Sequence, residues 1–134
     1  KHKYYIKIYY GRWEEMLGGE IQKSVQVLNK LITQFKVFAL TNWSAETFPV
    51  ALKKFNFLHS FRDIIVSGKE KLIKPNPKIF ELAINRFKIK PSETLFIDDN
   101  VNNIISAKKM NFITHHFKNP EKLIDDLNKK GFDI

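Results

Sequence analysis

A parallel β-sheet with helices on both faces is the fold this sequence predicts. Two observations carry the expectation. From Lys36 onward, short apolar runs alternate regularly with amphipathic stretches, the order that builds strand–helix–strand crossovers and hence a parallel sheet. The runs Val37–Leu40, Ile64–Val66 and Leu95–Ile97 are also apolar throughout, as expected where both sheet faces are buried.

The elements follow in order. Glu20 to Gln34 carries Ile21, Val25, Leu28 and Leu31/Ile32 at helical spacing, which predicts an amphipathic helix. Val37-Phe38-Ala39-Leu40 reads as a buried strand ending at Thr41-Asn42. Ser44 then caps a helix with Phe48, Leu52 and Phe55 inward, in which Pro49 is tolerated only in the first turn. Ile64-Ile65-Val66 is the next strand, closed by Ser67-Gly68.

Asn76-Pro77 is a cap followed by proline at the first helical position, and Ile79, Phe80, Ala83, Ile84 and Phe87 form the inward stripe behind it. Pro91-Ser92 precedes the strand Thr94-Leu95-Phe96-Ile97. The next helix spans about Asn100 to Met110, with Val101, Ile104, Ile105 and Ala107 expected inward and Asn111 as a left-handed terminator. Phe112 to Phe117 is the last strand, and Asn119-Pro120 starts a final helix with Leu123, Ile124 and Leu127 inward. Ahead of all this, the aromatic segment Tyr4 to Leu17 is expected to be helical and lies before Gly18-Gly19.

Composition narrows the class. The 134 residues hold enough apolar side chains (43%, with 12 Phe) for one packed core and too many for a disordered chain. With no cysteine, neither a disulfide framework nor a thiolate zinc site is available. No apolar run reaches the length of a membrane span, and Lys1-His2-Lys3-Tyr4-Tyr5 lacks the apolar segment of a signal peptide, so a cytoplasmic protein without a membrane partner is expected. The formal net charge of +9 is spread over nearly every segment; it favours anionic substrates without marking a nucleic-acid face. Lys1–Arg12 does interleave Tyr4, Tyr5, Tyr9 and Tyr10 with Lys1, Lys3 and Lys7, as single-strand binders do. Burial of those aromatics is the preferred reading, and no nucleic-acid partner is expected.

Three places carry residues suited to chemistry. Thr41-Asn42 offers a hydroxyl and an amide after the first strand of the alternating series, and Trp43 follows where it would border a substrate. Lys74 lies in Leu72-Ile73-Lys74-Pro75-Asn76-Pro77, just before a helix start, a position suited to a fixed positive charge facing a phosphate. Asp98-Asp99 follows Thr94–Ile97 at a strand's carboxyl end, where open α/β sheets bind their ligands. Adjacent carboxylates stay ionised most easily beside a cation or strong donors, and an oxygen-only donor set suits Mg²⁺. In a parallel sheet all three places share one edge. His115 and His116 alternate across a strand and point to opposite faces, so they do not share a metal.

Taken together, Thr41, Lys74-Pro75 and Phe96-Ile97-Asp98-Asp99 resemble the second, third and fourth motifs of the haloacid dehalogenase (HAD) superfamily. The strings Leu40-Thr41-Asn42-Trp43-Ser44-Ala45-Glu46-Thr47-Phe48-Pro49 and Met16-Leu17-Gly18-Gly19-Glu20-Ile21 are similar to its phosphatase-like branch with a small helical cap. The resemblance implies a Rossmann-like core and a Mg²⁺-dependent hydrolase acting on small phosphate esters through an aspartyl-phosphate. It implies that Thr41 binds the phosphoryl oxygen, Asn42 assists near the substrate, and Lys74 neutralises charge on nucleophile and phosphoryl group. Asp99 would ligate Mg²⁺, with Asp98 as second ligand or holder of a metal-bound water, and Asn103 would orient the groups around the metal.

The chain departs from the family at its start. Members attack with an aspartate in an Asp-x-Asp-type motif on the central strand, whereas the first aspartate here is Asp63, and only Glu14, Glu15 and Glu20 precede Thr41. The expectation is therefore that residues 1–19 are the end of a helical cap and residues 20–134 a core lacking its central first strand, to be completed by a missing N-terminal segment. The 134 residues alone are then expected to be inactive. The alternatives are a non-catalytic remnant of the fold and a metal-independent 2-haloacid dehalogenase; the paired aspartates favour the metal-dependent phosphatase.

Overall fold

The computed structural model describes residues 5–8 and 19–131. Five parallel strands, β1 (Tyr5–Ile8), β2 (Lys36–Thr41), β3 (Ile64–Val66), β4 (Thr94–Asp98) and β5 (Ile113–His116), form one sheet in the order β3-β2-β1-β4-β5. Among the described residues six α-helices connect and follow them: α1 (Gly19–Ile32), α2 (Phe48–Lys54), α3 (Ser67–Glu70), α4 (Pro77–Phe87), α5 (Val101–Lys109) and α6 (Pro120–Lys129).

Both faces of the sheet are buried, which explains the unbroken apolar strands. Val37 and Ala39 of β2 with Leu95 and Ile97 of β4 pack against Val27, Leu28 and Leu31 of α1 and Leu123 and Leu127 of α6. Their alternate neighbours Phe38, Leu40 and Phe96 turn to the other face and meet Ile79, Phe80, Ala83 and Phe87 of α4 and Ile104 and Ala107 of α5. Phe87 stacks on Phe38 at 4.4 Å, and Phe80 meets Phe96 edge-on at 5.3 Å, geometries favoured by the ring quadrupole.

The helix punctuation expected from sequence is present. Asn76 accepts from the Lys78 amide at 3.0 Å and Asn119 from the Lys122 amide at 2.8 Å, each with proline next in the chain. Asn111 adopts φ 71° at the end of the α5 segment. Pro49 lies in the first turn of α2, although Thr47 rather than Ser44 holds the cap position; Ser44 instead accepts from the Thr47 amide at 3.1 Å, one turn earlier.

Three expectations are corrected. The sheet was expected to lack its middle strand and Tyr4 to Leu17 to be helical, yet Tyr5–Ile8 is a parallel strand between β2 and β4, with Ile6 opposite both Val37 and Leu95 and Ile8 opposite Ile97. Without it two rows of backbone donors and acceptors would face a gap, and a Tyr-Ile-Lys-Ile segment of good strand formers satisfies them. The rest of the leading segment expected to be a cap lies outside the described residues. β3 ends at Val66 as expected, and Ser67-Gly68 open α3. On α5, Val101 and Ile105 are 50% and 46% exposed, while Asn103, Ile104, Ser106 and Ala107 face inward. The polar members of that inward face are required by the groups described next.

Candidate active site at the carboxyl ends of β2 and β4

Parallel strands deliver their last residues to one rim. Thr41 ends β2 and is buried; Asp98 ends β4 and is fully enclosed. Lys74 lies on the connection from α3 to α4, where the Lys74–Pro75 peptide bond is cis. Lys74 Nζ donates to Asp98 Oδ2 at 2.9 Å, and neither side chain has any exposed surface.

Asp98 is held on every side. Oδ1 accepts from the Asn100 amide at 2.8 Å, and Oδ2 accepts from Asn103 Nδ2 at 3.1 Å as well as from Lys74. Asn100 also caps α5, accepting from the Asn102 amide at 2.8 Å. The start of α5 thus grips the end of β4, and Asn103 must face inward to do so. This is why the helix turns Asn103 inward beside Ile104 and Ala107 and leaves Val101 and Ile105 in solvent.

Burial dominates the electrostatics of the pair. It pushes the Lys74 ammonium down to about 7, against the charges of Asp98 and Asp99, which favour the protonated form. It pushes the Asp98 carboxyl up, against Lys74, the Asn100 amide and Asn103. A low dielectric strengthens the attraction and penalises each isolated charge together. The Lys74 ammonium also lies 5.8 Å from the centroid of the Phe96 ring, within the reach of a cation–π contact.

Asn42 links the two sides of the rim. Its Oδ1 accepts from the Lys74 amide at 3.0 Å, and its Nδ2 donates to the Lys74 carbonyl at 3.2 Å. From α5, Ser106 Oγ donates to the Pro75 carbonyl at 2.7 Å. Trp43, expected beside a substrate, is half-buried and meets Phe48 edge-on at 5.8 Å. Its carbonyl accepts from the Gly68 amide at 2.9 Å. A Cβ on Gly68 would come within 2.4 Å of the Ala45 nitrogen, so only glycine lets the loop after β2 lie this close to α3.

Two positions at the rim were not found from sequence. Ser106 is one; three residues after Asn103, it shares that residue's helix face, and this spacing was the available signal. His116 is the other. Its Nε2–H donates to the Asp99 carbonyl at 2.9 Å, while the Phe117 amide donates to the Asp98 carbonyl at 2.7 Å, so the end of β5 supports the backbone of both aspartates. His115 turns the opposite way and bonds Asp126 through Nδ1 at 2.6 Å, as strand alternation requires.

The donor set suits one hard cation with water and anion oxygens completing its shell. Asp99 is exposed and beside Lys74 in charge, while the oxygens of Asp98 are committed to three protein donors. Among the described residues no cluster of three or more carboxylate or histidine ligands is present. Mg²⁺ is often held by one or two carboxylates plus phosphate oxygens and water, so the exposed Asp99 fits that ion as an open ligand, while the enclosed Asp98 is engaged with Lys74, Asn100 and Asn103.

The chain is similar to known proteins. The family model described as haloacid dehalogenase-like hydrolase matches residues 1–116. A glyceraldehyde 3-phosphate phosphatase of Methanopyrus kandleri is 31% identical over 81 residues, covering 60% of this chain and 35% of that enzyme. A predicted HAD-like hydrolase of Porphyromonas gingivalis superposes with a TM-score of 0.72 at 24% identity, covering 84% of this chain and 58% of the other. A HAD family enzyme of Bacteroides thetaiotaomicron in complex with magnesium and inorganic phosphate gives 0.67 at 26% identity, covering 73% and 52%. The chain therefore spans about a third to somewhat over half of these proteins.

Proposed function

The chain belongs to the haloacid dehalogenase-like hydrolase family, and from that premise we propose that it is the C-terminal portion of a Mg²⁺-dependent phosphatase of small phosphate esters. The observation that carries the reading is the enclosed Lys74–Asp98 pair at the carboxyl rim, with Asp99 open beside it. Phosphoryl transfer requires mainly positioning and charge neutralisation, which are what these residues supply.

In this reading Lys74, held by Asp98, presents a fixed ammonium to the phosphoryl oxygens, and the Thr41 hydroxyl donates to one of them. Asp99 would hold Mg²⁺, and Asp98, enclosed and bonded to Lys74, Asn100 and Asn103, would fix the Lys74 ammonium in place. The ion supplies Lewis-acid neutralisation of the phosphoryl charge. An attacking carboxylate would have to come from a strand that takes the middle position Tyr5–Ile8 fills here, and it would form the aspartyl-phosphate. Two neighbours point the same way, since one relative is named a phosphatase and one structure contains magnesium and inorganic phosphate.

A second reading has its own observation. In this chain the middle position is filled by Tyr5–Ile8, and the residues that follow, Tyr9 and Tyr10, carry no carboxylate. These residues on their own are then a non-catalytic form of the fold. One experiment separates the readings. A polypeptide carrying an Asp-x-Asp strand ahead of these residues is expected to release inorganic phosphate from phosphate esters with Mg²⁺ and to stop on chelation, while the 134-residue chain does not. Chloride release from 2-haloacids without metal would favour the dehalogenase instead, and no turnover of either substrate would leave the non-catalytic reading standing.

A further inference from the structure

The resemblance suggested that Asn42 lies near the substrate, but the hydrogen bonds give its amide a different occupation. Both polar atoms of the side chain are engaged with one peptide unit pair: Oδ1 takes the Lys74 N–H at 3.0 Å and Nδ2 gives to the Lys74 C=O at 3.2 Å. An amide that pairs with both backbone groups of one residue mimics a strand partner and fixes that residue's Cα relative to its own. Only a planar side chain with an acceptor and a donor side by side does this, which limits the position to asparagine or a close analogue.

The next residue is held from the far side. Ser106, on the buried face of α5, donates to the Pro75 carbonyl at 2.7 Å. The Lys74–Pro75 corner is therefore tied to the end of β2 by Asn42 and to α5 by Ser106. The same helix contributes Asn103 to Asp98, the partner of the Lys74 ammonium. Backbone and tip of Lys74 are thus both referenced to α5, the one through Ser106 and the other through Asn103 and Asp98. The corner itself has no regular structure, and Ile73 immediately before it is 60% exposed. Without these ties the lysine would hang from a surface loop.

We propose that Asn42 is a positioning residue, acting with Ser106 to fix the Lys74 ammonium through its own backbone, and that it is not a substrate ligand. This rests on the proposed reading only for the statement that Lys74 faces the phosphoryl group; the mechanical claim is independent of it and is tested without substrate.

The experiment uses the full 134-residue chain at one pH. The side-chain ¹⁵N signal of Lys74 is recorded, and its acylation by acetic anhydride is followed by peptide mass mapping against the surface lysines. In the unsubstituted chain Lys74 is expected to give a signal separate from the surface lysines and to acylate slowest. With Asn42→Ala, two hydrogen bonds are lost, and Lys74 acylation should rise about tenfold or more, with its signal moving toward those of exposed amines. Asn42→Asp keeps an acceptor for the N–H but lacks the donor for the carbonyl and should fall between; it also preserves the shape of the site if the alanine variant folds poorly. Ser106→Ala should act in the same direction and less. Asn119→Ala, which removes the cap of α6, is the control: it lowers stability and should leave Lys74 unchanged. The proposal is overturned if Asn42→Ala and Asn119→Ala raise Lys74 acylation equally per degree of lost Tm. It is also overturned if Asn42→Ala weakens binding of inorganic phosphate while the Lys74 signal and acylation stay as they were. Absence of phosphate binding in the unsubstituted chain would count against the phosphatase reading alone.

Discussion

Two ion pairs in this molecule have nearly the same length and opposite significance. Lys23 reaches Glu121 at 2.8 Å across α1 and α6, with both side chains 60% exposed; Lys74 reaches Asp98 at 2.9 Å with neither exposed at all. In water the first pair exchanges hydration for a weak, salt-screened attraction. The second has no hydration to return to, so each charge depends on the other and on the amides of Asn100 and Asn103. Environment, not distance, separates a surface contact from a site.

The largest effect expected from that difference is on stability. Asp98→Ala leaves a buried ammonium without its partner and should cost about 3–5 kcal/mol in urea unfolding. Replacing both members, Lys74→Met with Asp98→Leu, should recover part of that loss, because no lone charge remains. A double variant no more stable than Asp98→Ala would show that the hydrogen bonds from Asn100 and Asn103, rather than the charge pair, carry the energy.

A pH titration sharpens the comparison. The Lys74 ammonium is pushed from 10.5 to about 7 in the folded chain. Between those values the unfolded chain holds a proton that the folded one has released, so stability rises with pH across the window. Unfolding free energies of the unsubstituted chain minus those of the double variant should climb from about pH 7 toward the unfolded value of the lysine. A flat difference would mean that Asp98 holds the proton on Lys74 throughout. At the small end, Glu121→Gln should leave the melting temperature unchanged within error at moderate salt, and a clear drop would mean that the α1–α6 contact is more enclosed than its exposure indicates.

The sequence made the punctuated elements legible and the supported ones not. Asn76-Pro77 and Asn119-Pro120 announce helices because cap and proline act locally. β1 is four residues of good strand formers, too short to be placed in the sheet without the pair of neighbours flanking it, and that is tertiary information. The face of α5 was misread for a related cause: apolar residues were assumed to point inward, but Asp98 and the Pro75 carbonyl require Asn103 and Ser106 there. Within the site, Thr41, Lys74, Asp98 and Asp99 stood out by residue type at strand ends. The partner of Asn42 is a backbone unit 32 residues away, which no local pattern records, and His116 reaches Asp99 only because β5 lies beside β4.

The central claim is that the rim formed by Thr41, Lys74 and the two aspartates holds a divalent cation together with a phosphate-sized anion. Titrating Mg²⁺ into the chain calorimetrically, with inorganic phosphate present and absent, tests it most directly. Binding of Mg²⁺ that strengthens with phosphate, disappears in Asp99→Asn and leaves that variant's melting temperature intact is the predicted result. Mg²⁺ binding that is indifferent to phosphate and unchanged by Asp99→Asn would contradict it.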